Sequence, residues 1–410
     1  MYTRRKLWYT VGMDTLTKAD RAMLTDAADA ALTWVGKNML TFDRGRWGVY
    51  ERIRTDRRER VCLVRPDTAS ECIKALWYYQ AVTGTTKYED VRANVTEWLL
   101  GVQNTEAADG DTAFPFALID GNRFWPMQRQ LYQNDNGKIL INLTDMYRKT
   151  GDKRLLAAAE ASAAWWMRVQ RADGSYYDAH TATPEKDSRA PCFLLWMMAG
   201  MYALFTATGR EAYRDSARKA FSAVSGLLSG GRIRTAYETT GAEWWRPLSS
   251  EVFIALLCFA LSDAAEPDGR LMAAADSLLP FALGLIDGDT GAVVNCTRDT
   301  RPASRSADPD GVDLVYTEGF ALNALFELYR RKNDPVYLRH AVRLADFLRG
   351  IQLKGEGPCL DGGWRGTYNL RLKRYAGRCD NDLEEGGVHS VYTGWTAFPI
   401  VFGMLKIAGT

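Results

Sequence analysis

The sequence predicts an all-α fold, a single (α/α)6 toroid that spans residues 1–410. Three observations predict it. Six times along the chain, a long polar or aromatic loop runs into a largely apolar helix, a tight turn and an amphipathic helix. The apolar helices contain stretches without any charged residue, such as 193–205 and 252–261, which is typical of helices buried on all sides. No Gly/Ser-rich or Pro-rich linker interrupts the alternation.

The hairpins follow one another with short turns inside and long loops between. A helix near 18–38 is expected as the outer partner of the first inner helix. The inner helices are expected to begin near Asp67, Asp135, Pro191, Ser249, Thr317 and Ser390. The outer helices, such as 152–170 and 335–352, carry their charged residues on one face and should meet water. All long loops then gather on one face of the ring, where a binding site is expected.

Composition narrows the class of protein. A net charge of +2 gives no reason to expect a nucleic-acid or membrane partner, and the longest uncharged run is shorter than the roughly 20 residues that cross a bilayer. Seven cysteines without tight metal spacing indicate a reducing, cytoplasmic setting. The three histidines are too scattered for a metal site, and no phosphate-binding or dinucleotide motif predicts a cofactor. We expect a monomer or a small homo-oligomer.

Several repeated motifs carry a resemblance to a known family. They are the Thr-Gly-Asp turn at 150–152, the Trp-x-x-x-Gln ending at 166–170 and the Asp-Gly pair at 173–174. Together with the repeat, they make the chain similar to the six-hairpin glycosidase superfamily over nearly its whole length. That superfamily includes unsaturated glucuronyl and rhamnogalacturonyl hydrolases, and related toroids include polysaccharide lyases and N-acylglucosamine epimerases. The resemblance implies carbohydrate chemistry on an oligosaccharide substrate.

Carboxylates before or at the start of inner helices are the candidate catalytic groups. Asp135 and Glu318 are the expected pair, with Glu251 or Glu385 as replacements for either. Glu318 is the strongest single candidate, because Thr317 already caps the helix and burial would raise the pKa of the glutamate toward that of a general acid. Each of these residues could instead be a helix cap or a solvated loop residue, and the sequence leaves both interpretations open.

Aromatic and charged residues of the same loops are the candidate substrate-binding groups. Tryptophan can stack on a sugar ring, and the arginine fork matches the carboxylate of a uronate. Loop tryptophan is otherwise unfavourable to expose. The expected binding residues are Asp67, Trp245, Arg246, Tyr316, Asp361, Trp364, Arg365, His389 and Tyr392. For Asp67 an N-cap, and for the segment around Asp361 an ordinary glycine turn, are the alternatives.

Glycoside hydrolysis on uronate-containing oligosaccharides is the leading functional hypothesis. It needs a carboxylate pair, whose separation distinguishes retention from inversion. A lyase or sugar epimerase is the first alternative, in which Tyr316, Tyr392 or His389 would take the proton next to a carboxylate. A non-catalytic sugar-binding toroid is the second. Ultraviolet absorbance from an unsaturated product would indicate the lyase, and sugar bound without turnover would indicate the binding protein.

Overall fold

The computed structural model describes residues 16–103, 112–119, 131–176, 179–180, 191–229, 232–233, 248–297, 308–377 and 387–410. Twelve α-helices lie within these ranges. They are α1 Lys18–Asn38, α2 Pro66–Thr83, α3 Glu89–Gly101, α4 Gln133–Thr150, α5 Lys153–Arg168, α6 Pro191–Thr208, α7 Glu211–Ser225, α8 Leu248–Ala265, α9 Arg270–Gly284, α10 Glu318–Lys332, α11 Pro335–Ile351 and α12 Phe398–Ala408. The predicted all-α toroid is confirmed.

Six helices form a closed inner ring. Contacts run from α2 to α4, α6, α8, α10 and α12, and from α12 back to α2. These are the apolar helices of the sequence repeat, and their side chains are buried almost throughout, as in α8 and α12. Each of α3, α5, α7, α9 and α11 packs on the inner helix that precedes it. The loops between hairpins therefore enter the inner helices from one face.

Short polar signals begin and end the helices. Asp152 accepts a hydrogen bond from the backbone N–H of Arg154 and caps α5, and Asp334 does the same for α11 through Val336. The turn from α4 to α5 needs a left-handed residue, which Gly151 supplies at φ 75°. These turns are tight, so each hairpin is antiparallel and the longer loops lie at the other end.

The helix on which α1 packs differs from the one that the sequence predicts. α1 packs chiefly on α12, the last inner helix, and Arg21 Nη1 donates to the carbonyl of Ala408 at 3.0 Å. The outer partner of α2 is α3. The sixth hairpin is thus made from the two ends of the described chain. The expected start of the last inner helix near Ser390 is also wrong, since a strand and a kink occupy 390–397.

Five two-stranded antiparallel sheets tie the loops of the site face together. The strands are β1 Arg52–Arg54, β2 Leu63–Val64, β3 Leu118–Ile119, β4 Leu131–Tyr132, β5 Ala179–His180, β6 Leu228–Ser229, β7 Arg232–Ile233, β8 Gly311–Asp313, β9 Thr367–Asn369 and β10 Ser390–Tyr392. β1 pairs with β10, with Arg52 opposite Tyr392. This pairing brings the first loop of the chain to the segment that leads into α12.

The axis of the ring is partly polar. Inside it lies a cavity of about 30 Å³, with Glu71 and Lys138 on its polar side and Trp196, Leu257 and Phe320 on its apolar side. Most of the polar lining comes from α2 and α4, and Asn323 of α10 and Lys406 of α12 add to it. Among the helices in the described ranges, none is long and apolar enough to cross a membrane.

Candidate active site

Arg65 is the centre of a buried ionic cluster at the mouth of the ring. The residue precedes Pro66, which favours extended backbone before it, and it immediately precedes α2. Its Nη1 donates to Glu51 Oε1 at 2.8 Å, its Nε to Asp67 Oδ1 at 3.0 Å and its Nη2 to Asp135 Oδ2 at 2.8 Å. One guanidinium therefore holds carboxylates from the first loop, from α2 and from α4.

Lys138 is the second cation of the cluster. Its Nζ lies 3.0 Å from Asp67 Oδ2 and 3.0 Å from Glu71 Oε1. Asp67 and Glu71 are four residues apart on α2, and Asp135 and Lys138 are three apart on α4, so each pair lies on one helix face. The sequence spacing of two adjacent inner helices thus assembles the cluster.

Trp395 closes the cluster from the segment before α12. Its indole Nε1 donates to Asp67 Oδ2 at 2.6 Å, and its backbone N–H donates to Glu71 Oε2 at 2.9 Å. Its ring lies 3.4 Å from Lys138 Nζ, a cation–π contact. Tyr316 packs edge-on against the same ring, with the centroids 5.4 Å apart.

The surroundings of Asp67 and Asp135 shift their pKa values in opposite directions. Burial raises the pKa of the Asp67 carboxyl, but Arg65, Lys138 and the Trp395 hydrogen bond outweigh it, so that pKa lies well below its ordinary value. Burial raises the pKa of Asp135 to about 7; Arg65 opposes this rise only in part, and the negative charge of Asp67 adds to it. Near neutral pH, Asp67 is ionised and Asp135 exchanges a proton.

The two aspartates also differ in how many of their carboxylate oxygens have a hydrogen-bond partner. Asp67 accepts from Arg65, Lys138 and Trp395, which occupy both of its oxygens. Asp135 accepts from Arg65 through Oδ2, while its buried Oδ1 has no hydrogen-bond partner among the described residues. Asp135 thus keeps one buried oxygen without a partner among the described residues, whereas both oxygens of Asp67 are occupied.

The two carboxylates lie close together. Asp135 Oδ2 and Asp67 Oδ2 both accept from Arg65 Nη2, at 2.8 and 3.2 Å. Their separation is therefore at most 6.0 Å, the sum of these two distances. Carboxyl groups about 5–5.5 Å apart are typical of retaining glycosidases, and those about 6.5–9.5 Å apart of inverting ones.

Glu318, the strongest candidate from the sequence, lies away from this cluster. It is fully buried, and its carboxylate accepts from the backbone N–H of Val293, at 3.1 Å through Oε1. Phe320 and Asn323 line the axial cavity, and Glu318 lies two residues before Phe320, about 200° around α10. Burial raises the pKa of Glu318 well above its ordinary value, as expected, but the structure gives the residue the role of an anchor for the 286–293 turn. Among the described residues, no hydrogen bond or ion pair joins Glu318 to Asp135.

Glu251 is buried at the start of α8, with 2% of its surface exposed. Leu257 and Leu261 of the same helix line the cavity, and Glu251 lies about 120° around the helix from Leu257. The remaining candidates Glu385, Trp245 and Arg246 lie outside the described residues.

Three predicted binding residues of the loop after α11 stabilise that loop instead. Trp364 is fully buried, and its Nε1 donates to the carbonyl of Leu348 at 2.9 Å, so its ring packs in the core rather than on a ligand. Asp361 accepts from the backbone N–H of Glu356 at 2.8 Å. Arg365 forms an ion pair with the Glu356 side chain. The alternative interpretation of this segment, a structured glycine turn, fits these contacts.

Of the predicted binding residues Tyr316, His389 and Tyr392, only Tyr316 is described in contact with the cluster. Tyr392 is buried in β10, where it pairs with Arg52, and His389 is exposed at the edge of the same sheet. Tyr316 contacts the cluster through the ring of Trp395. Of the predicted binding residues that are described, Asp67 and Tyr316 thus reach the site.

Sequence reasoning missed Arg65, Glu71, Lys138 and Trp395. A signal for two of them was present: Glu71 and Lys138 are charged residues on inner helices, four and three residues after the candidate aspartates. Such residues inside buried helices are expected to be paired. In the described part of the chain, no three His, Cys, Asp or Glu side chains come together in a way that could hold a metal ion.

Comparisons with known proteins bear on the fold. No protein-family model matches the sequence, and no curated protein matches it. The solved structures that it resembles include a cellobiose 2-epimerase from Spirochaeta thermophila DSM 6192, with 16% sequence identity and a TM-score of 0.69 over 96% of this chain and 99% of that one. An unsaturated glucuronyl hydrolase specific for heparin has 14% identity and a TM-score of 0.62 over 94% and 96% of the two chains. A GH76 α-mannanase from Bacteroides thetaiotaomicron has 13% identity and a TM-score of 0.64 over 95% of each.

At these identities the likeness establishes the fold. The architecture that the resemblance implies, an (α/α)6 toroid, is thereby confirmed, and the solved structures that share it include both hydrolases and epimerases of sugars.

Proposed function

We propose that the chain is a glycoside hydrolase that acts on oligosaccharides, with Asp135 as the proton donor. The proposal rests on two neighbouring carboxyl groups in different states. Burial raises the pKa of Asp135 to about 7, and its Oδ1 has no partner among the described residues. Asp67 beside it is held in its ionised form. Protonation of a glycosidic oxygen requires an acid that holds its proton near neutral pH and can release it. Asp135 meets both conditions.

Asp67 acts in this mechanism as a fixed negative charge. Its oxygens already accept from Arg65, Lys138 and Trp395, so it is poorly suited to attack a sugar or to activate water. Its charge instead stabilises the positive charge that develops on the sugar ring as the glycosidic bond breaks. The group that activates water is then a second residue, and Glu385 remains the prediction for it.

We propose uronate-containing oligosaccharides as the substrate class. Arg57, Arg58 and Arg60 are exposed on the loop that follows β1, and β1 pairs with the strand that leads to Trp395. Arginine recognises carboxylates through a planar, two-point hydrogen-bond geometry. The likeness to a glucuronyl hydrolase in fold is consistent with this class.

The test of the proposed function is a screen of uronate-capped and neutral oligosaccharides, followed by Asp135→Asn. We expect turnover with at least one uronate-capped sugar and a loss of kcat on the order of 1000-fold in the variant, because an amide cannot donate this proton. Asp145→Asn is the matched control: the same change on the same helix, about 15 Å further along it. Wild-type activity in Asp135→Asn would exclude this residue as the acid.

A sugar epimerase is the second candidate. The fold is also that of a cellobiose 2-epimerase, and a carboxyl that titrates near neutral pH can accept a proton from carbon as well as donate one to oxygen. Product analysis distinguishes the two. A hydrolase releases a new reducing end, whereas an epimerase converts a sugar without cleavage and exchanges one of its hydrogens with deuterated water.

A further inference from the structure

The segment Thr393-Gly394-Trp395 has an unusual backbone. Trp395 has φ 61°, a left-handed conformation that is uncommon outside glycine. In a bulky residue this conformation is strained. Gly394 lies against α2 so tightly that a Cβ there would be 2.1 Å from Thr68 Oγ1. Such strain persists only where the surrounding contacts determine it.

Contacts on both sides hold this segment. Thr393 Oγ1 donates to the carbonyl oxygens of Tyr50 and Glu51, at 2.6 and 2.8 Å, and its backbone N–H donates to the Glu51 carbonyl at 2.9 Å. The Glu51 side chain in turn binds Arg65. The strained tryptophan is therefore fixed to the same residues that carry the carboxylate cluster.

The orientation of Trp395 has a consequence for Asp67. The indole N–H, the backbone N–H and the ring face are directed at Asp67, Glu71 and Lys138 respectively. The bond to Asp67 joins a neutral donor to an ionised acceptor at 2.6 Å, which belongs to the stronger class of hydrogen bonds. The other charged groups around Asp67 are Arg65 and Glu71 on its own segment, Asp135 and Lys138 on α4, and Glu51 on the first loop.

We infer that Trp395 is a positioning residue of the active site: through its indole N–H it holds the Asp67 carboxylate in place beside Asp135, across the Arg65 guanidinium. This inference rests on the proposed function for its kinetic consequence. The hydrogen bond stabilises the charged form of Asp67, so its loss makes Asp67 easier to protonate. The same bond fixes the direction of the carboxylate, so its loss lets Asp67 turn away from Asp135 and from the reacting sugar.

The test replaces only the N–H. Trp395→Phe keeps the backbone N–H to Glu71 and an aromatic face for Lys138, but removes the donor to Asp67. The matched control is Trp196→Phe, since the buried Nε1 of Trp196 has no hydrogen-bond partner among the described residues and its ring also packs on Phe320, at 5.2 Å. The measurement is the dependence of kcat and KM on pH.

For Trp395→Phe we expect kcat to fall by about 10- to 100-fold with KM little changed, because a misplaced charge weakens transition-state stabilisation. The alkaline limb of the pH profile, which Asp135 sets, should stay where it is in the wild type, because the variant leaves Asp135 and Arg65 in place. Trp196→Phe should leave both quantities unchanged. Equal behaviour of the two variants, or an unchanged kcat in Trp395→Phe, would overturn the inference.

A readout without turnover separates this inference from the proposed function. In the wild-type protein, the indole N–H resonance of Trp395 should be protected from solvent exchange and should shift with a midpoint near pH 7 as Asp135 titrates, and the shift should vanish in Asp135→Asn. A freely exchanging or pH-insensitive resonance overturns the inference even if the protein hydrolyses sugars. Absence of turnover with the expected resonance overturns the proposed function alone. If Trp395→Phe does not fold, benzothienylalanine at position 395, with sulfur in place of the N–H, serves as the second variant.

Discussion

At the scale of single residues, Asp135 differs from Asp67 in how its charge affects folding. Burial raises its pKa to about 7, so the folded protein binds this proton more tightly than the unfolded chain, in which the pKa is near 3.8. The folded state therefore loses stability as the pH rises from about 4 to about 7, and the loss is complete above that range. A group that is unfavourable when charged and buried fits a functional rather than a structural role.

Asp135→Asn should separate these two roles. The amide cannot ionise, so the variant should be more stable than the wild type at pH 8, by an amount on the order of 2 kcal/mol, and should gain less at pH 5. Denaturant unfolding at both pH values measures the difference. Asp145→Asn is the control: burial raises the pKa of Asp145, but Lys74 and Lys149 outweigh it and leave that pKa lowered, so this variant should lose stability at both pH values. Parallel behaviour of the two variants would contradict the assignment of Asp135.

At the scale of elements, the site depends on how closely α4 approaches α6. Gly137 lies between Asp135 and Lys138, and a Cβ there would be 2.4 Å from the backbone carbonyl carbon of Trp196 and 2.5 Å from the backbone nitrogen of Met197. The two helices therefore meet backbone to backbone at this residue. The same contact places the two charged residues of α4 at their depth in the ring.

Gly137→Ala should destabilise the protein by about 1–3 kcal/mol, because the atoms nearest to the added Cβ are backbone atoms that cannot rotate away. Gly36→Ala is the matched control within α1, where a Cβ meets nothing within 4 Å and helix propensity should stabilise by about 1 kcal/mol. Thermal unfolding of both variants makes the comparison. An unchanged melting temperature in Gly137→Ala would show that α4 and α6 have room to separate.

The sequence predicts elements of this site better than it predicts which side of a helix faces the axis. The apolar runs of α6 and α8 identify inner helices, because uniform burial leaves a compositional signature. Glu318 begins such a helix, yet its side chain turns outward to Val293. The side of a helix that faces the cavity follows instead from the spacing of its polar residues. Glu71 and Lys74 on α2, like Lys138 and Asn142 on α4, recur at helical spacing and line the cavity. Position at a helix start carries no such information.

At the scale of the whole molecule, closure of the ring depends on contacts that local sequence does not encode. The pairing of α2 with α3 follows from the short turn between them, whereas α1 contacts α12 across nearly the full length of the chain. No turn signal links these two helices, so the sequence predicts α1 as the outer partner of α2, the next helix along the chain. Trp395 shows the same limit, since its partners Asp67 and Glu71 lie more than 300 residues earlier.

This closure predicts that the protein tolerates circular permutation. Arg21 near one end donates to Ala408 near the other, so a flexible linker of about eight residues can join Thr410 to Leu16. New termini placed in the exposed turn at Gly151 and Asp152 interrupt no helix, and the permutant should fold with a melting temperature within a few degrees of the original. A second permutant, opened between Met198 and Ala199 in the middle of α6, should fail to fold because it cuts a fully buried helix. Calorimetric unfolding and the indole resonance of Trp395 measure both outcomes. Failure of the first permutant with a soluble second one would mean that α1 and α12 do not form the closing pair.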